Sequence, residues 1–207
     1  MPTPYQIARR LRGFIPQKAI NLLDRLTGAE DIPWTRVIMR ADCHRLVESL
    51  DVRNLNVLEI SGTYWGSLPF KSYENVAFPE FDICIQKYPG KFDLIIAEQV
   101  FEHLLWPYRA GRNVFDMLND GGHLLISTPF LLRVHNFPAD CTRWTETGLR
   151  YFLAECGFDL SKIQTSSWGN RACVKAHLDG WLRYRRRLHS LKNEPDVPYH
   201  VWALASK

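Results

Sequence analysis

The chain has 207 residues, of which 46% are hydrophobic and 23% are charged. This composition is typical of one compact globular domain and excludes a chain that is disordered throughout. Basic residues outnumber acidic ones by 26 to 22, and they concentrate near the two ends, in Arg9–Arg12 and Arg183–Arg187. These clusters are either solvated surfaces or contacts for an anionic acceptor or membrane surface. Elsewhere the sequence has no basic stripe with interleaved aromatic residues, so nucleic acid is not an expected partner.

Cysteine usage and hydropathy predict the compartment. The five cysteines include no CxxC pair, which favours a reducing environment and argues against a zinc site. No apolar run approaches the roughly 18 residues that span a bilayer, and the N-terminus lacks the apolar stretch of a secretory signal. We therefore expect a cytoplasmic protein without a bound metal.

The first segment with helical character covers residues 4–27. Its basic and aliphatic positions alternate and are interrupted at Pro16, which predicts two short amphipathic helices. We expect these helices to form an N-terminal cap over residues 1–34, with one α/β domain over residues 35–207. That domain begins with a predicted helix from about Thr35 to Leu50.

Predicted strands and helices then alternate to the end of the chain. The strands are read from "LNVLEI", "ENVAF", "FDLIIA", "GHLLIST", a stretch around "KIQTSSW", and "YHVWALA". Thr145 suits the N-cap of a helix that Gly157 ends. Between the last two strands, the segment from Arg171 predicts a helix with a basic outer face that includes Arg183–Arg187. This order indicates an α/β sandwich with a mainly parallel sheet.

Four stretches carry a resemblance to a known family. "NVLEISG", "FDLIIAEQVFEHL", "MLNDGGHLLISTPF" and "DCTRWTETGLRYFLAECGF" occur in the order and approximate spacing of class I S-adenosylmethionine-dependent methyltransferases. Over about residues 50–168 the chain most closely resembles the bacterial branch found with surface-polysaccharide and natural-product genes. The resemblance implies a Rossmann-like doubly wound sheet with an antiparallel C-terminal strand, and S-adenosyl-L-methionine as cofactor.

The resemblance also implies a reaction, with one alternative. The implied reaction is methyl transfer to a hydroxyl, or less often an amine, of a sugar or other small polar acceptor. The alternative is a catalytically silent methyltransferase-like subunit that binds a partner or an anionic surface. The altered glycine loop described next leaves this alternative open.

The glycine loop departs from the family pattern of acid-x-Gly-x-Gly-x-Gly. Glu59 supplies the acid, but the glycine positions hold Ser61, Thr63 and Trp65, while Gly62 and Gly66 are out of register. Either the loop has rearranged around its two glycines, with the small Ser61 at the closest approach, or cofactor binding has been lost. We expect the rearrangement, with Glu59, Ser61 and Gly62 contacting the cofactor.

The acid that normally ends the second strand and binds the ribose is also missing. Ala77 stands at its place in "ENVAFPEFD", and Glu80, just beyond, either replaces it or faces water. The resemblance places Asp82 and Ile83 beside the adenine. The interval before "FDLIIA" is short for the usual helix, strand and helix, so we expect the second helix and the third strand to be reduced to a turn.

Two further loops carry polar candidates. In "AEQVFEHLLWP", we assign Glu98 to the cofactor, and Glu102 and His103 point to different faces, so that one of them faces the cleft. His103 either lines the active site or is structural.

The loop "FLLRVHNFPADCTRW" follows the fifth strand of the family's sheet and overhangs the transferred methyl in that fold. We expect His135 to act as the general base, with Asp140 as its orienting partner and His103 as the reserve candidate. Arg143 and Trp144 are the candidates for acceptor binding. A second reading is that Asp140 and Arg143 form a salt bridge that fixes the loop, and both readings can hold together.

Overall fold

The computed structural model describes residues 16–207. In chain order the helices are α1 (Gln17–Thr27), α2 (Val37–Glu48), α3 (Pro107–Met117), α4 (Glu146–Glu155) and α5 (Arg171–His177). The strands are β1 (Ala29–Pro33), β2 (Asn56–Ile60), β3 (Ser72–Val76), β4 (Phe92–Glu98), β5 (Leu118–Pro129), β6 (Ile163–Trp168), β7 (Arg183–Arg185) and β8 (His200–Ser206).

Six of these strands form the central sheet, in the order β3-β2-β4-β5-β8-β6. β2 pairs in parallel with β3 on one side and with β4 on the other, and β4 pairs in parallel with β5. The last strand, β8, runs antiparallel to both β5 and β6. This confirms the predicted Rossmann-like sheet with an antiparallel C-terminal strand. Ligands of such folds bind outside the carboxyl ends of the strands where the order reverses, which here lies between β2 and β4.

The centre of the sheet is apolar on both faces. In β4, Ile95 and Ala97 pack into the larger hydrophobic core, whereas Leu94 and Ile96 pack into the second core on the opposite face. Because side chains alternate across a strand, a strand covered on both faces needs a continuous apolar run. The "FDLIIA" run is therefore the sequence signature of this central position.

The helix α4 covers one face of the sheet as predicted. Thr145 caps it, its hydroxyl accepting a hydrogen bond from the backbone N–H of Gly148 at 3.0 Å. The buried side chains of this helix are Leu149, Phe152 and Leu153. The cap and the apolar stripe together account for its position.

The region between β2 and β4 is abbreviated more than the sequence predicted. Residues 77–91 contain turns and neither a helix nor a strand, so β3 is the edge of the sheet. The link from β2 to β3 also lacks an α-helix and contains only the 3-10 turn Tyr64–Ser67. The expected loss of the second helix and third strand is confirmed, and the first helix is lost as well.

The predicted basic helix near the C-terminus is wrong in its second half. The helix α5 ends at His177, and Arg183–Arg185 forms β7, which pairs antiparallel with β1. Pairing with a distant segment, reinforced by the ion pair between Arg185 and Asp24 at 2.8 Å, decides the conformation here rather than local periodicity.

The β1–β7 pair ties the N-terminal segment to the C-terminal part of the chain. The first of the two predicted N-terminal helices lies outside the described residues, and α1 is the second. From residue 16 onward, no helix combines the length and the apolar character needed to cross a membrane.

Candidate active site

The loop after β2 keeps a left-handed turn without using glycine. Ser61 has φ 61°, and its backbone N–H donates a hydrogen bond to the carbonyl oxygen of Val76 at 2.7 Å. A non-glycine residue rarely adopts this conformation, and such strain is concentrated at functional sites. Ser61 thus adopts a left-handed conformation that favours glycine.

Glu59 holds this loop from beneath. Its carboxylate is 2% exposed and accepts hydrogen bonds from the Tyr64 N–H at 3.2 Å, the Trp65 N–H at 3.0 Å and the Tyr73 hydroxyl at 2.6 Å. A Cβ atom on Gly62 would lie 2.3 Å from the Glu59 carboxylate. Gly62 is therefore required by the packing of Glu59, and both residues shape the loop. Their direct contact with a cofactor stays a prediction.

Trp65 shows how a bulky side chain is tolerated at a family glycine position. Its ring is fully buried in the second hydrophobic core and lies 4.5 Å from the ring of His44 on α2. The side chain thus packs into the core of the protein rather than over the edge of the sheet.

At the carboxyl end of β4, Glu98 is held by two arginines that the sequence analysis missed. Its Oε1 accepts hydrogen bonds from Arg40 at 2.9 and 3.0 Å and from Arg36 at 3.2 Å. Its Oε2 is buried and has no hydrogen-bond partner within residues 16–207. Burial lowers the pKa of Arg36, an effect that the charge of Glu98 opposes. The available signal was the i, i+4 spacing of the two arginines, which places them on one side of a helical segment.

The residue after Glu98 is also strained. Gln99 has φ 59°, and its side-chain amide donates a hydrogen bond to the Ser127 hydroxyl at 3.1 Å. Left-handed residues thus follow both β2 and β4, at the point where the strand order reverses.

The three candidates for the adenine side have different surroundings. Glu80 is exposed and lines an open cleft of about 600 Å³ between the end of β3 and the turns that follow it. The Asp82 carboxylate accepts a hydrogen bond from the Cys84 N–H at 2.8 Å. Ile83 is 2% exposed and packs in the core. Its place beside the adenine stays a prediction.

Glu102 and His103 lie in the turn after β4. Glu102 is 0% exposed, and neither of its carboxylate oxygens has a hydrogen-bond partner in the described part of the chain. Burial raises the pKa of Glu102 to about 8. The His103 Nδ1 lies 2.5 Å from the carbonyl oxygen of Ala139, so it carries the proton in this contact and leaves Nε2 as an acceptor. That Nε2 is 3.7 Å from Glu102 Oε1.

In the loop after β5, the predicted salt bridge is present. Arg143 donates to both oxygens of Asp140, with Nη2 at 2.7 Å from Oδ2, and these bonds lower the pKa of Asp140 to about 2. Asp140 also accepts a hydrogen bond from the backbone N–H of His135 at 2.8 Å. The His135 Nδ1 lies 3.4 Å from Asp140 Oδ2, and burial lowers the pKa of His135. The structure therefore places Asp140 beside His135 and also commits Arg143 to Asp140.

Trp144 lies beneath this loop rather than on it. It is 9% exposed and packs against Phe152 at 5.1 Å between ring centroids. Little of the ring remains at the surface, and its contact with the acceptor stays a prediction. Arg143 likewise has its guanidinium engaged by Asp140.

Further buried polar atoms surround the ends of β5 and β8. The unpartnered atoms there, counted over the described residues, are Thr128 Oγ1, Tyr199 Oη and both ring nitrogens of His200. Burial lowers the pKa of His200 well below its ordinary value. Buried polar groups are normally hydrogen-bonded, so a concentration of unpartnered ones indicates a place for a ligand or water. These residues carried no signal in the sequence.

Comparisons with known proteins identify the family of the chain. The family described as "Methyltransferase domain" matches residues 39–159, more than half of the chain. The chain belongs to this methyltransferase family. The match supports an enzyme rather than a catalytically silent subunit, and the cofactor of this methyltransferase is S-adenosyl-L-methionine. A search of curated proteins found no match.

Solved structures share the fold of this methyltransferase at low sequence identity. An S-adenosylmethionine-dependent methyltransferase from Mesorhizobium loti is 14% identical, with a TM-score of 0.52 over 81% of this chain and 96% of that one. The N-methyltransferase NodS from Bradyrhizobium japonicum, in complex with S-adenosyl-L-homocysteine, is 16% identical, with a TM-score of 0.51 over 86% of this chain and 89% of that one. At these identities the likeness shows the fold alone.

The residues at the reversal of strand order fit the cofactor of this methyltransferase. Ser61 and Gly62 bring the backbone to the edge of the sheet, and the unpartnered oxygen of Glu98 offers an acceptor for a positively charged group. Glu80 faces the neighbouring cleft. When bound, the cofactor supplies an electrophilic methyl group, and these residues are the ones that would hold it.

One group of side chains in the methyltransferase has the residue types of a metal site. Within residues 16–207, these are Glu102, His103 and His135, whose ligand atoms lie within 4.8 Å of one another. The 3.7 Å between Glu102 Oε1 and His103 Nε2 is close to the roughly 3.4 Å edge of a tetrahedral site with 2.0–2.1 Å bonds. The spacing of these two atoms is therefore compatible with a shared metal ion.

Proposed function

We propose that this methyltransferase transfers a methyl group to a hydroxyl of a sugar or other small polar acceptor, with an amine as the less favoured acceptor. The observation that supports this most is the polar group that the buried Glu102 forms with the partly buried His103 and His135 at the carboxyl edge, next to the loops assigned to the cofactor. Such a group is suited to binding a small polar atom and to accepting its proton.

His135 is the proposed proton acceptor. Its ring is held next to Asp140, which Arg143 fixes in turn, so the loop positions the imidazole before the acceptor binds. His103 is the reserve candidate, because its Nε2 is free to accept. The protein contributes positioning and a place for the proton.

The assay uses S-[methyl-³H]adenosylmethionine with two matched sets of acceptors. One set contains sugars that offer hydroxyls only, and the other contains the corresponding amino sugars. We expect label in the hydroxyl set. Label confined to the amino sugars would replace the proposed acceptor with an amine, and no label in either set from a folded protein would reject small sugars as acceptors.

A second proposal concerns an anionic membrane surface, because the structure exposes an apolar face beside basic residues. On α1, Leu22, Leu23 and Leu26 are 58%, 48% and 57% exposed, and Arg25 lies on the same helix. Next to β7, the Arg187 guanidinium donates to the Leu26 carbonyl oxygen at 2.8 Å. An amphipathic face with basic flanks is typical of helices that lie in the membrane interface.

Co-sedimentation with vesicles tests this surface. We expect more protein recovered with phosphatidylserine-containing vesicles than with neutral ones at low salt, and less recovery after Leu23→Glu. The matched control is Ile85→Glu, at a side chain that is 73% exposed in the turns after β3. Equal recovery from both vesicle types would reject the membrane surface.

A further inference from the structure

Among residues 16–207, Glu102 is the buried acid that has no partner at either carboxyl oxygen. Its side chain is 1% exposed, and no hydrogen bond reaches Oε1 or Oε2. By contrast, the buried Glu59 accepts three hydrogen bonds, and Asp140 is paired with Arg143. Buried acids are normally paired or bound to a metal ion. The surroundings of Glu102 therefore indicate a partner that is not part of the described chain.

Two histidines next to Glu102 complete a set of metal-ligand types. The Glu102 Oε1 lies 3.7 Å from His103 Nε2. With His135, each of the three residues offers one ligand atom, and these atoms lie within 4.8 Å of one another. Adjacent ligands of a four-coordinate ion are roughly 3.4 Å apart, so no pair needs to close by more than about 1.4 Å. The partly exposed side chain of His135 is the one with room to move.

The contacts behind the two rings are those of metal-binding histidines. The His103 Nδ1 lies 2.5 Å from the carbonyl oxygen of Ala139, so that nitrogen holds the proton and the Nε2 lone pair faces Glu102. The carboxylate of Asp140 lies 3.4 Å from the His135 Nδ1 and is itself fixed by an ion pair. A histidine that binds a metal almost always has a carbonyl or carboxylate at its other nitrogen, which sets the orientation and basicity of the ring.

The two loops that carry these ligands are joined to each other. The Cys141 N–H donates a hydrogen bond to the Glu102 carbonyl oxygen at 2.7 Å, and the Thr142 hydroxyl donates to the Phe101 carbonyl oxygen at 3.3 Å. The turn after β4 is thus fixed against the loop after β5. Ligands from both segments are therefore held near one point before an ion binds.

The charges that face Glu102 are compatible with a cation. Arg36 and Arg143 are the positive groups that act on its carboxyl group, and Asp140 is a negative one. Each arginine already has an acidic partner, Arg36 in Glu98 and Arg143 in Asp140. No arginine or lysine from residue 16 onward is bonded to Glu102 itself. A divalent ion would supply the missing positive charge and stabilise the ionised carboxylate.

We infer that Glu102, His103 and His135 form a binding site for one divalent transition-metal ion of the zinc class. Two imidazole nitrogens and one carboxylate oxygen are a ligand set of zinc sites that keep an open fourth position. Imidazole ligands favour zinc over magnesium and calcium. The cysteine spacing that argued against zinc does not apply here, because none of the three ligands is a thiolate.

The consequence for catalysis rests on the proposed function, in which His135 accepts the proton of the acceptor. A histidine lone pair that binds a metal ion is not available to a proton. His103, the reserve candidate, is engaged by the same ion. The ion therefore competes with the acceptor and inhibits methyl transfer, and its removal restores a free base. The site makes the activity of this methyltransferase sensitive to zinc.

The first test measures metal binding and needs no acceptor. Wild-type protein dialysed against EDTA is titrated with Zn²⁺ in a calorimeter, and we expect one ion per chain. Glu102→Gln keeps the size of the side chain and should bind the ion at least about tenfold more weakly, with folding checked by circular dichroism. The matched control is Glu48→Gln, at the Glu48–His44 pair on α2, and it should bind as wild type does. No binding to folded wild type, or equal affinity in Glu102→Gln, would overturn the inference.

A cobalt spectrum tests the ligand set without any variant. Co²⁺ in a four- or five-coordinate site of nitrogen and oxygen ligands has visible absorption bands, and we expect these bands at one equivalent of the ion. A charge-transfer band from thiolate ligation would place the ion at the cysteines and overturn the inference.

The second test measures the effect of the ion on turnover, with the acceptor found in the tritium assay. We expect Zn²⁺ to inhibit, with activity restored by EDTA or by more acceptor, and Mg²⁺ at the same concentration to have no effect. Turnover that requires Zn²⁺ would overturn the inhibitory role. Absence of methyl transfer both with and without the ion would reject the proposed function, and calorimetry would still decide whether the metal site exists.

Discussion

Two loops at the carboxyl edge of the sheet each contain a buried acid, and the two acids differ in their hydrogen bonding. After β2, Glu59 has its carboxylate fully engaged by the loop that it supports. After β4, Glu102 is equally buried and has no partner in the described chain. Both acids lie near the point where the strand order reverses. The carboxylate of Glu59 stabilises its loop, whereas the carboxyl oxygens of Glu102 have no hydrogen-bond partner in the described residues.

This difference separates a structural role from a binding role. A satisfied buried acid rigidifies its surroundings, and its loss leaves buried donors without an acceptor. An unsatisfied one is destabilising in the free protein and gains only when a ligand arrives, which is a common compromise at functional sites. We therefore propose that the loop after β2, together with Glu98, holds the cofactor, and that the turn after β4 and the loop after β5 meet the acceptor.

The largest expected effect is on the acceptor side. Replacing His135 with Ala should lower turnover by roughly 10²- to 10⁴-fold, as loss of a positioned proton acceptor does, with little change in cofactor affinity. Single-turnover assays and calorimetry measure the two quantities separately. His123→Ala is the matched control, because that histidine lies toward the opposite end of β5 and is bonded to Ser206.

If His103→Ala rather than His135→Ala abolishes turnover, the two histidines exchange roles. If neither matters, the acceptor needs no protein base and the loop only orients it.

The next effect is on the scaffold side. Glu59→Ala should lower the free energy of unfolding by about 3 kcal/mol, because the buried Trp65 N–H and the Tyr73 hydroxyl lose their acceptor. Urea denaturation measures this change. Glu74→Ala, at an exposed partner of Tyr88, is the control and should change stability by less than about 1 kcal/mol. A loss no larger than in the control would remove the structural role of Glu59.

A pH series contrasts the two acids directly. Below pH 4.5, the ordinary pKa of Glu102, both folded and unfolded states hold the proton; between there and about 8 only the folded state holds it. Wild-type stability should therefore fall as pH rises through this window, by at most about 1.4 kcal/mol per pH unit from this group. In Glu102→Gln that contribution is absent, and parallel stability curves for the two proteins would contradict the assignment.

The smallest effects lie in the glycine loop and have opposite signs. Gly62→Ala should destabilise the protein by about 2 kcal/mol through overpacking, since its Cβ would lie 2.3 Å from the Glu59 carboxylate. Ser61→Gly should stabilise it by about 1 kcal/mol by relieving a left-handed residue. Thermal unfolding of both variants checks the pair, and destabilisation by Ser61→Gly would show that the serine side chain is needed.

The sheet could be predicted from the sequence because its core strands are apolar runs and the segments between them carry helix-capping signals. The short interval after β2 correctly predicted an abbreviated edge. The prediction of a helix at Arg183–Arg185 was wrong, because this segment pairs with β1, which lies far away in the sequence.

At the site, the placement of His135 and Asp140 on one loop could be predicted from their spacing. The engagement of Glu98 by Arg36 and Arg40, and the absence of partners around Glu102, could not, since both depend on burial and on contacts between distant segments. The burial of Ile83 and Trp144 could not be predicted from the sequence for the same reason.

The division between a cofactor side and an acceptor side is tested most directly by calorimetry with S-adenosyl-L-homocysteine. The titration compares wild type, Glu59→Ala and Glu102→Ala at neutral pH, with folding checked by circular dichroism. We predict binding to wild type, unchanged affinity in Glu102→Ala, and affinity at least about tenfold weaker in Glu59→Ala, equivalent to 1.4 kcal/mol or more. Weaker binding in Glu102→Ala than in Glu59→Ala, or no heat from a folded wild-type protein, would contradict this account.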